Sequence, residues 1–203
     1  MFRYLAGLLL FCATMSAGET TWRGLVVAPE NRCAPYDRDD YRYPQSVEDE
    51  IIAKLGDLFS PYTCAQFGSS RETEIEHMIA VSQAHDSGLC MADRQTKRRF
   101  ASDLRNLTLA APAVNREKGA RDAAEWLPET NRCWFAGRIV EVRRAYELTI
   151  DRREAAALES VLSNCSPADV GGAFCASRSF VMQVLLPILE TDVPDAGEAT
   201  QVP

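Results

Sequence analysis

The chain has 203 residues, 46% of them hydrophobic, and a formal net charge of −7 at pH 7. This length suits one domain with a sizeable apolar core. The acidic balance excludes a protein that binds nucleic acid through its overall charge.

The N-terminus has the pattern of a secretory signal peptide. One early positive charge, Arg3, precedes an apolar run from residue 5 to about residue 13, and small residues follow. We predict that residues 1–17 are removed by cleavage near Ala17 and that the protein is secreted or periplasmic. The apolar run is too short to span a bilayer permanently, so no stable membrane association is expected.

Six cysteines remain after that cleavage, at positions 33, 64, 90, 133, 165 and 175. An even number of cysteines in an exported chain favours disulfides. Their spacing matches neither Cys-x-x-Cys nor a Cys/His ligand set, which argues against a zinc site.

The first half of the chain predicts two short strands among helices. Residues 18–45 contain three prolines and show no regular pattern. After Ser46, "VEDEIIAKLGDLF" has apolar residues at helical spacing and predicts a helix. "TEIEHMIA" and "NLTLAA" predict strands, and "ADRQTKRRFASDL" between them predicts a helix with a basic face. Pro112 ends the second strand, and "VNREKGARDAAEWLP" then predicts a loop and a helix closing at Pro128.

The second half predicts a helical hairpin over residues 131–165. "NRCWFAGRIVEVRRAYEL" and "DRREAAALESVLSNC" each have an apolar helical face, and the short link between them implies antiparallel packing. That packing brings the start of one helix near the end of the other, so we predict a Cys133–Cys165 disulfide. "SFVMQVLLPIL" predicts a packed C-terminal segment, and residues 191–203 a disordered tail.

The other four cysteines permit three pairings. Cys33–Cys90 with Cys64–Cys175 is our choice among them, and the mature protein is expected to have no free thiol.

Polar residues suited to chemistry occur at three points of this predicted order. Glu76 and His77 end the first strand, Asn106 opens the second, and Asn115 precedes the following helix. A neutral histidine accepts a proton well near pH 7. A structural or exposed histidine is the alternative for His77.

The charge along the chain is uneven. Eight basic residues lie between positions 94 and 121, against only two acidic ones: Arg94, Lys97, Arg98, Arg99, Arg105, Arg116, Lys118 and Arg121. Such a run is either a solvated helix face or a local phosphate-binding patch.

The strand, loop, strand, helix order with acid-His, Asn and Asn resembles the HNH, or ββα-metal, endonucleases. The likeness is strongest to the secreted single-domain HNH nucleases and to the C-terminal domain of GmrSD-type restriction enzymes. It is carried by "EIEHMIAVSQAHDSGLC", "FASDLRNLTLAAPAVNREKGARDAAEWLP" and, more loosely, "CWFAGRIVEVRRAYELTID", roughly residues 72–152. The resemblance implies an α+β fold, with an HNH core at about residues 72–128 in a mainly helical, disulfide-stapled single domain of residues 18–190.

The resemblance also implies roles for these residues. His77 would be the general base, and Glu76 and Asn115 the metal ligands. Asn106 would be a supporting residue whose amide holds the loop after His77. Glu74 is the reserve ligand. The alternatives are that Glu76 orients His77 and that Asn115 caps a helix.

The implied activity is hydrolysis of phosphodiester bonds in DNA, with RNA as a further candidate substrate. Carboxylate and amide oxygens favour one Mg²⁺, or Mn²⁺, in each active site. Arg98, Arg99, Arg116 and Lys118 are candidates for phosphate contact. With no recognition module or protein partner evident, cleavage is expected to show little sequence preference.

A second hypothesis keeps the scaffold without the catalysis, because fold does not imply function. In it the protein is an exported, disulfide-stabilised binding protein. His85 falls outside the HNH positions and is expected to fix its own loop, with Asp86 as partner, and Trp126 is expected in the core.

Overall fold

The structure, a computed structural model, describes residues 20–173 and Cys175. The predicted signal peptide, the predicted C-terminal segment around Pro187 and the predicted tail lie outside the described residues. Within the described part of the chain, no helix is long and apolar enough to cross a membrane.

The described chain opens with a small antiparallel hairpin of β1 (Thr21–Trp22) and β2 (Leu25–Val26). Arg23 and Gly24, between the strands, have φ angles of 45° and 79°. Two successive left-handed residues are typical of the tight turns that match the twist of a hairpin. The expectation of an irregular segment was therefore wrong here, because arginine is a rare residue in that conformation and does not signal such a turn.

A 3₁₀ helix (Arg38–Tyr41) and α1 (Val47–Leu55) follow. Helix α1 buries Val47 and Ile51 in a small apolar cluster with residues of the fourth strand. Gly56, with a φ of 79°, ends the helix. The predicted helix continued to Phe59 and was too long, because a left-handed glycine cap stops the hydrogen-bonded turns.

The two predicted strands form the second sheet. Strands β3 (Glu74–His77) and β4 (Leu107–Ala110) are antiparallel, with Glu76 opposite Thr108 and His77 opposite Leu107. All four residues of β4 are buried. The connection contains α2 (Val81–Asp86), which the sequence analysis did not predict, and α3 (Arg94–Ala101), which it did.

Helix α4 (Pro112–Lys118) follows β4 after a single residue. The predicted loop followed by a helix to Pro128 was wrong. Proline at the first helical turn loses no hydrogen bond, so Pro112 starts the helix, and Gly119 with a φ of 54° ends it. Residues 119–130 then run through turns, one of them fixed by the Asp122 side chain, which accepts hydrogen bonds from the Ala124 and Glu125 amides.

The C-terminal part of the described chain is helical, with α5 (Arg132–Ala145), α6 (Arg152–Leu162) and the short α7 (Pro167–Gly171). Helix α5 contributes Trp134, Phe135, Ile139 and Val142 to the main apolar core, and α6 contributes Leu158. A disulfide joins the start of α5 to the residues after α6, so the two helices are antiparallel. The predicted helical hairpin is confirmed.

Three disulfides close the fold. Their Cα atoms are 5.8 Å apart in Cys33–Cys90, 5.3 Å in Cys64–Cys175 and 5.7 Å in Cys133–Cys165. These are the three predicted pairings. The described chain is therefore a disulfide-stabilised α+β fold, with helices around two small sheets.

Candidate active site

A cavity of about 500 Å³ opens where β3 ends, and the side chains of Glu76, His77 and Asn115 all line it. Consecutive side chains of a strand point to opposite faces. Glu76 and His77 nevertheless both line this cavity, because the strand ends at His77. A larger cavity of about 790 Å³ lies between α5 and α7, but no residue of the predicted site lines it. The polar cavity at β3 is therefore the candidate site.

His77 is held as a neutral base. Its Nε2 lies 2.8 Å from the carbonyl oxygen of Ala101. A carbonyl oxygen only accepts, so Nε2 carries the proton and Nδ1 has the free lone pair. The ring stands edge-on to Tyr43, with centroids 5.2 Å apart. Burial lowers the pKa of His77 to about 4, although the bond to Ala101 opposes this shift.

Asn106 fixes the chain just after His77. The side chain is fully buried; its Oδ1 accepts from the Ile79 amide at 2.8 Å and its Nδ2 donates to the Ile79 carbonyl at 3.0 Å. The predicted role of Asn106 is to hold the loop after His77, and these two hydrogen bonds to Ile79 are contacts of that kind. Asn106 does not line the cavity, so it would act through the position of the loop.

Glu76 is buried and paired with Lys118. Lys118 Nζ lies 2.7 Å from Glu76 Oε1 and donates to the His77 carbonyl at 2.9 Å. Burial raises the pKa of Glu76, and the Lys118 ammonium opposes that rise. The Lys118 side chain has no exposed surface, so in this structure it neutralises Glu76 instead of facing a phosphate. We therefore do not retain Lys118 as a phosphate contact.

Asn115 is oriented by Glu74. Its Nδ2 donates to Glu74 Oε2 at 2.8 Å, which leaves Oδ1 as the available oxygen of the amide. Glu74 and Glu76 are two residues apart on β3 and share the face toward α4. In this structure, Glu74 is thus the residue that holds Asn115, a contact that the sequence analysis did not anticipate.

The predicted metal ligands suit a hard cation. Glu76 offers a carboxylate, which Lys118 and the His77 amide also contact, and Asn115 keeps Oδ1. These are the oxygen donors that Mg²⁺ and Mn²⁺ prefer. The donor set fits the metal that the resemblance implies.

Arg38 is a site residue that the sequence analysis missed. It is exposed, starts the first 3₁₀ helix and lines the cavity with Tyr36 and Tyr43. Its positive charge helps to lower the pKa of His77. Within residues 20–173 and Cys175, it has no ion-pair partner. The segment "YDRDDYRY" offered a signal, since a basic residue among tyrosines suits a ligand surface, but the segment lacks periodicity.

The basic run is partly neutralised. Arg94 and Lys97 both contact Asp40, at 2.9 and 3.1 Å, and Arg105 contacts Asp103 at 2.6 Å. Four arginines of the run are exposed and have no carboxylate partner among the described residues: Arg98, Arg99, Arg116 and Arg121. Arg98 and Arg99 line a second cavity of about 450 Å³ on α3.

His85 is a structural residue. Its Nδ1 lies 2.8 Å from the Tyr41 hydroxyl and its Nε2 lies 2.8 Å from the Ala34 carbonyl. The predicted partner was wrong, because Asp86 instead pairs with Arg32 at 2.6 Å. His85 is fully buried and ties the N-terminal segment to α2.

Trp126 belongs to the core, as expected. It is partly buried against the main apolar cluster, edge-on to Tyr62 at a centroid distance of 5.1 Å.

Comparison with known proteins identifies no family. No family model and no solved structure match this chain. A protein of Arthroderma benhamiae described as an uncharacterized secreted protein is 30% identical over 123 residues. The match covers 59% of this chain and 60% of that protein, so the chain spans about three fifths of this relative's length. The similarity to a secreted protein agrees with the three disulfides, which are typical of exported proteins.

Proposed function

We propose that this protein is an exported, metal-dependent endonuclease of the HNH, or ββα-metal, type. Its substrate would be DNA, with RNA as a further candidate, and its cleavage would show little sequence preference. One observation carries the proposal. His77, with Nδ1 unprotonated, shares a cavity with Glu76 and Asn115 at the end of an antiparallel strand pair that a helix follows.

His77 would act as the general base. Phosphodiester hydrolysis needs a base that takes a proton from the attacking water. The Ala101 carbonyl fixes the tautomer and the ring orientation, so Nδ1 is the accepting atom. A pKa of about 4 keeps that atom unprotonated at neutral pH. Asn106 maintains the position of the loop beyond the base through Ile79.

Glu76 and Asn115 are the residues that would hold one Mg²⁺ or Mn²⁺. When bound, such a metal stabilises the negative charge that develops on the phosphate and on the leaving oxygen. Lys118 opposes the rise that burial imposes on the pKa of Glu76, and Glu74 orients the Asn115 amide.

The exposed arginines would bind the phosphate backbone. Arg38 lies in the cavity itself, Arg116 is on α4 beside Asn115, and Arg98 and Arg99 lie on α3. Contacts of this kind neutralise phosphates without reading base edges, so they give affinity with little sequence preference.

The Glu76–Lys118 pair favours the second hypothesis, an exported binding protein without catalysis. Glu76 already has a positive partner 2.7 Å away, so its charge is compensated without a metal. A nicking assay separates the two hypotheses.

The test is nicking of supercoiled plasmid at pH 7 with Mg²⁺, with Mg²⁺ and excess chelator, and with a His77→Ala protein prepared in parallel. We expect nicking that the chelator abolishes and that His77→Ala slows by about 10²–10⁴-fold, the usual contribution of a general base. Circular dichroism shows whether His77→Ala is folded. Absence of nicking by the wild type, or equal rates for a folded His77→Ala protein, would refute the endonuclease proposal.

A further inference from the structure

The cavity of His77 is adjacent to the second cavity, on α3, which we call the arginine cavity. The segment "YDRDDYRYP", residues 36–44, contributes to both. Four of its residues line the cavity of His77: Tyr36, Arg38, Tyr41 and Tyr43. Arg42 and Pro44, the two neighbours of Tyr43, line the arginine cavity instead. Tyr43 therefore lies between the two cavities.

The two cavities also meet at the end of α3. The His77 ring donates to the carbonyl oxygen of Ala101, the last residue of α3, and the next residue, Ser102, lines the arginine cavity. On the other side, the ring of Tyr43 contacts the ring of His77. Both residues that contact the His77 ring thus have a chain neighbour in the arginine cavity. A polymer bound at His77 can continue into the arginine cavity past Tyr43.

The arginine cavity has an excess of positive charge. Four arginines line it, and none of the described residues that line it is acidic: Arg42, Arg94, Arg98 and Arg99. Asp39 and Asp40, which lie outside it, contact Arg42 and Arg94 at 2.8 and 2.9 Å. Arg98 and Arg99 have no carboxylate partner among the described residues. Such an excess in a chain of net charge −7 indicates a ligand with several negative charges.

The cavity of His77 is aromatic where it faces this charge. Tyr36 and Tyr43 are both partly exposed and line it. The Tyr36 ring is stacked on the buried ring of Tyr41, with centroids 5.7 Å apart, which fixes its position. Proteins that bind single strands combine such rings, on which bases stack, with a positive groove that follows the phosphates. In a duplex the bases already stack on one another, so their faces are not available to tyrosine side chains.

We propose that the preferred substrate is single-stranded DNA rather than a duplex. One phosphate of the strand lies in the cavity of His77, its bases stack on Tyr36 and Tyr43, and the following phosphates lie in the arginine cavity. The position of the first phosphate rests on the proposed endonuclease function. The preference for a single strand rests on the two cavities and is measured without catalysis.

The test is fluorescence anisotropy of the full chain with excess chelator, so that no cleavage takes place. The probes are a labelled single strand of about 16 nucleotides, the upper end of the site sizes of single-strand binders, and the duplex of the same sequence. We expect the single strand to bind at least about tenfold more tightly, because stacking of one base on an aromatic ring changes affinity by about 5–150-fold.

Two variants test the stacking. Tyr36→Leu and Tyr43→Leu should each weaken binding of the single strand by about 5–150-fold and leave binding of the duplex nearly unchanged. Tyr36→Phe and Tyr43→Phe keep the ring and should keep the affinity. Trp22→Leu is the matched control, because Trp22 is a partly exposed aromatic residue that lines neither cavity. Circular dichroism shows whether each variant is folded.

Equal affinities of the wild type for the single strand and the duplex would overturn the proposal, and this comparison needs no variant. Unchanged single-strand binding by a folded Tyr36→Leu/Tyr43→Leu protein would overturn it as well. The result is separate from that of the nicking assay. Nicking with equal affinities would reject the single-strand preference alone, whereas tight and selective single-strand binding without nicking would reject the endonuclease proposal alone.

Discussion

The strand–strand–helix region and the helical hairpin differ in the balance of polar and apolar side chains that they bury. Strands β3 and β4 have four residues each. Together with α4 and the residue before β4, they bury four polar side chains: Glu76, Asn106, Thr108 and Lys118. The hairpin of α5 and α6 buries mainly aromatic and aliphatic side chains, with one ion pair between Arg143 and Glu154, and is closed by Cys133–Cys165. The contacts of the first region fix the positions of its polar side chains, whereas those of the second mainly contribute to the stability of the fold.

The two regions differ because burying an apolar side chain is favourable, whereas burying a charged one costs free energy. Apolar burial is favourable and non-directional, so the apolar contacts of the hairpin tolerate several arrangements of similar volume. A buried charge is unfavourable unless its partner is in place, and the partner must then adopt one geometry. Lys118 contacts both Glu76 and the His77 carbonyl, so it sets the distance between α4 and the end of β3. A region that positions reacting groups is expected to use such contacts.

The largest effect expected from this comparison is on the buried pair. Lys118→Met keeps the side-chain length but leaves Glu76 buried without a positive partner. We expect a loss of about 3–5 kcal/mol of unfolding free energy, measured by denaturant titration. Lys97→Met should cost less, because Asp40 is partly exposed and keeps Arg94 as a partner. A Glu76→Gln/Lys118→Met protein should recover most of the loss. If Lys118→Met alone is neutral, polar contacts do not hold this region together.

The disulfide of the hairpin is the next test. Cys133 and Cys165 are 32 residues apart, so removing both as Cys133→Ala/Cys165→Ala should cost about 3–4 kcal/mol of unfolding free energy. Neither helix of the hairpin lines the cavity of His77, so nicking at temperatures below the lowered midpoint should stay near the wild-type rate. A folded variant without nicking activity would show that the activity at the cavity of His77 depends on the helical hairpin.

The metal site gives a smaller expected effect. Asn115→Ala removes a proposed ligand, and we expect the Mg²⁺ concentration for half-maximal nicking to rise at least about tenfold. Glu74→Gln leaves both proposed ligands in place and retains an oxygen for the Asn115 amide, so it should shift that concentration less. Residues that hydrogen-bond to metal ligands also affect the metal, and complete loss of such a contact commonly lowers metal affinity or activity by about 10–100-fold. If Glu74→Gln is the more damaging change, then Glu74 and not Glu76 is the ligand.

The smallest expected effect concerns the exposed arginines of α3. Arg98→Glu/Arg99→Glu should weaken DNA binding and reduce the slope of log K against log salt by about 1–2, as expected when one or two phosphate contacts are lost. Arg152→Glu/Arg153→Glu on α6 changes the same charge at two adjacent exposed residues and is the matched control. Equal effects of the two variants would show that only net charge matters. Fluorescence anisotropy at several salt concentrations measures both.

The two regions also differ in how well they were predicted. The hairpin was predicted with its disulfide because its apolar residues repeat at helical spacing over two long segments. The two strands were placed correctly by alternation and β-branched residues. The helix after them was displaced, since Pro112 was interpreted as a stop and is in fact the first residue of α4. Proline suits both positions, and only the neighbouring contacts distinguish them.

By itself, the sequence determined the two strands around the candidate site and the helical hairpin, because periodicity and residue type act over a few neighbouring positions. The tertiary structure alone decided the partners. It places Asn115 on Glu74, 41 residues away, and Lys118 on Glu76. It also brings Arg38 into the cavity and Asp122 to the start of α6. Such pairs depend on distances in space between segments remote in the chain, and local pattern does not specify those distances.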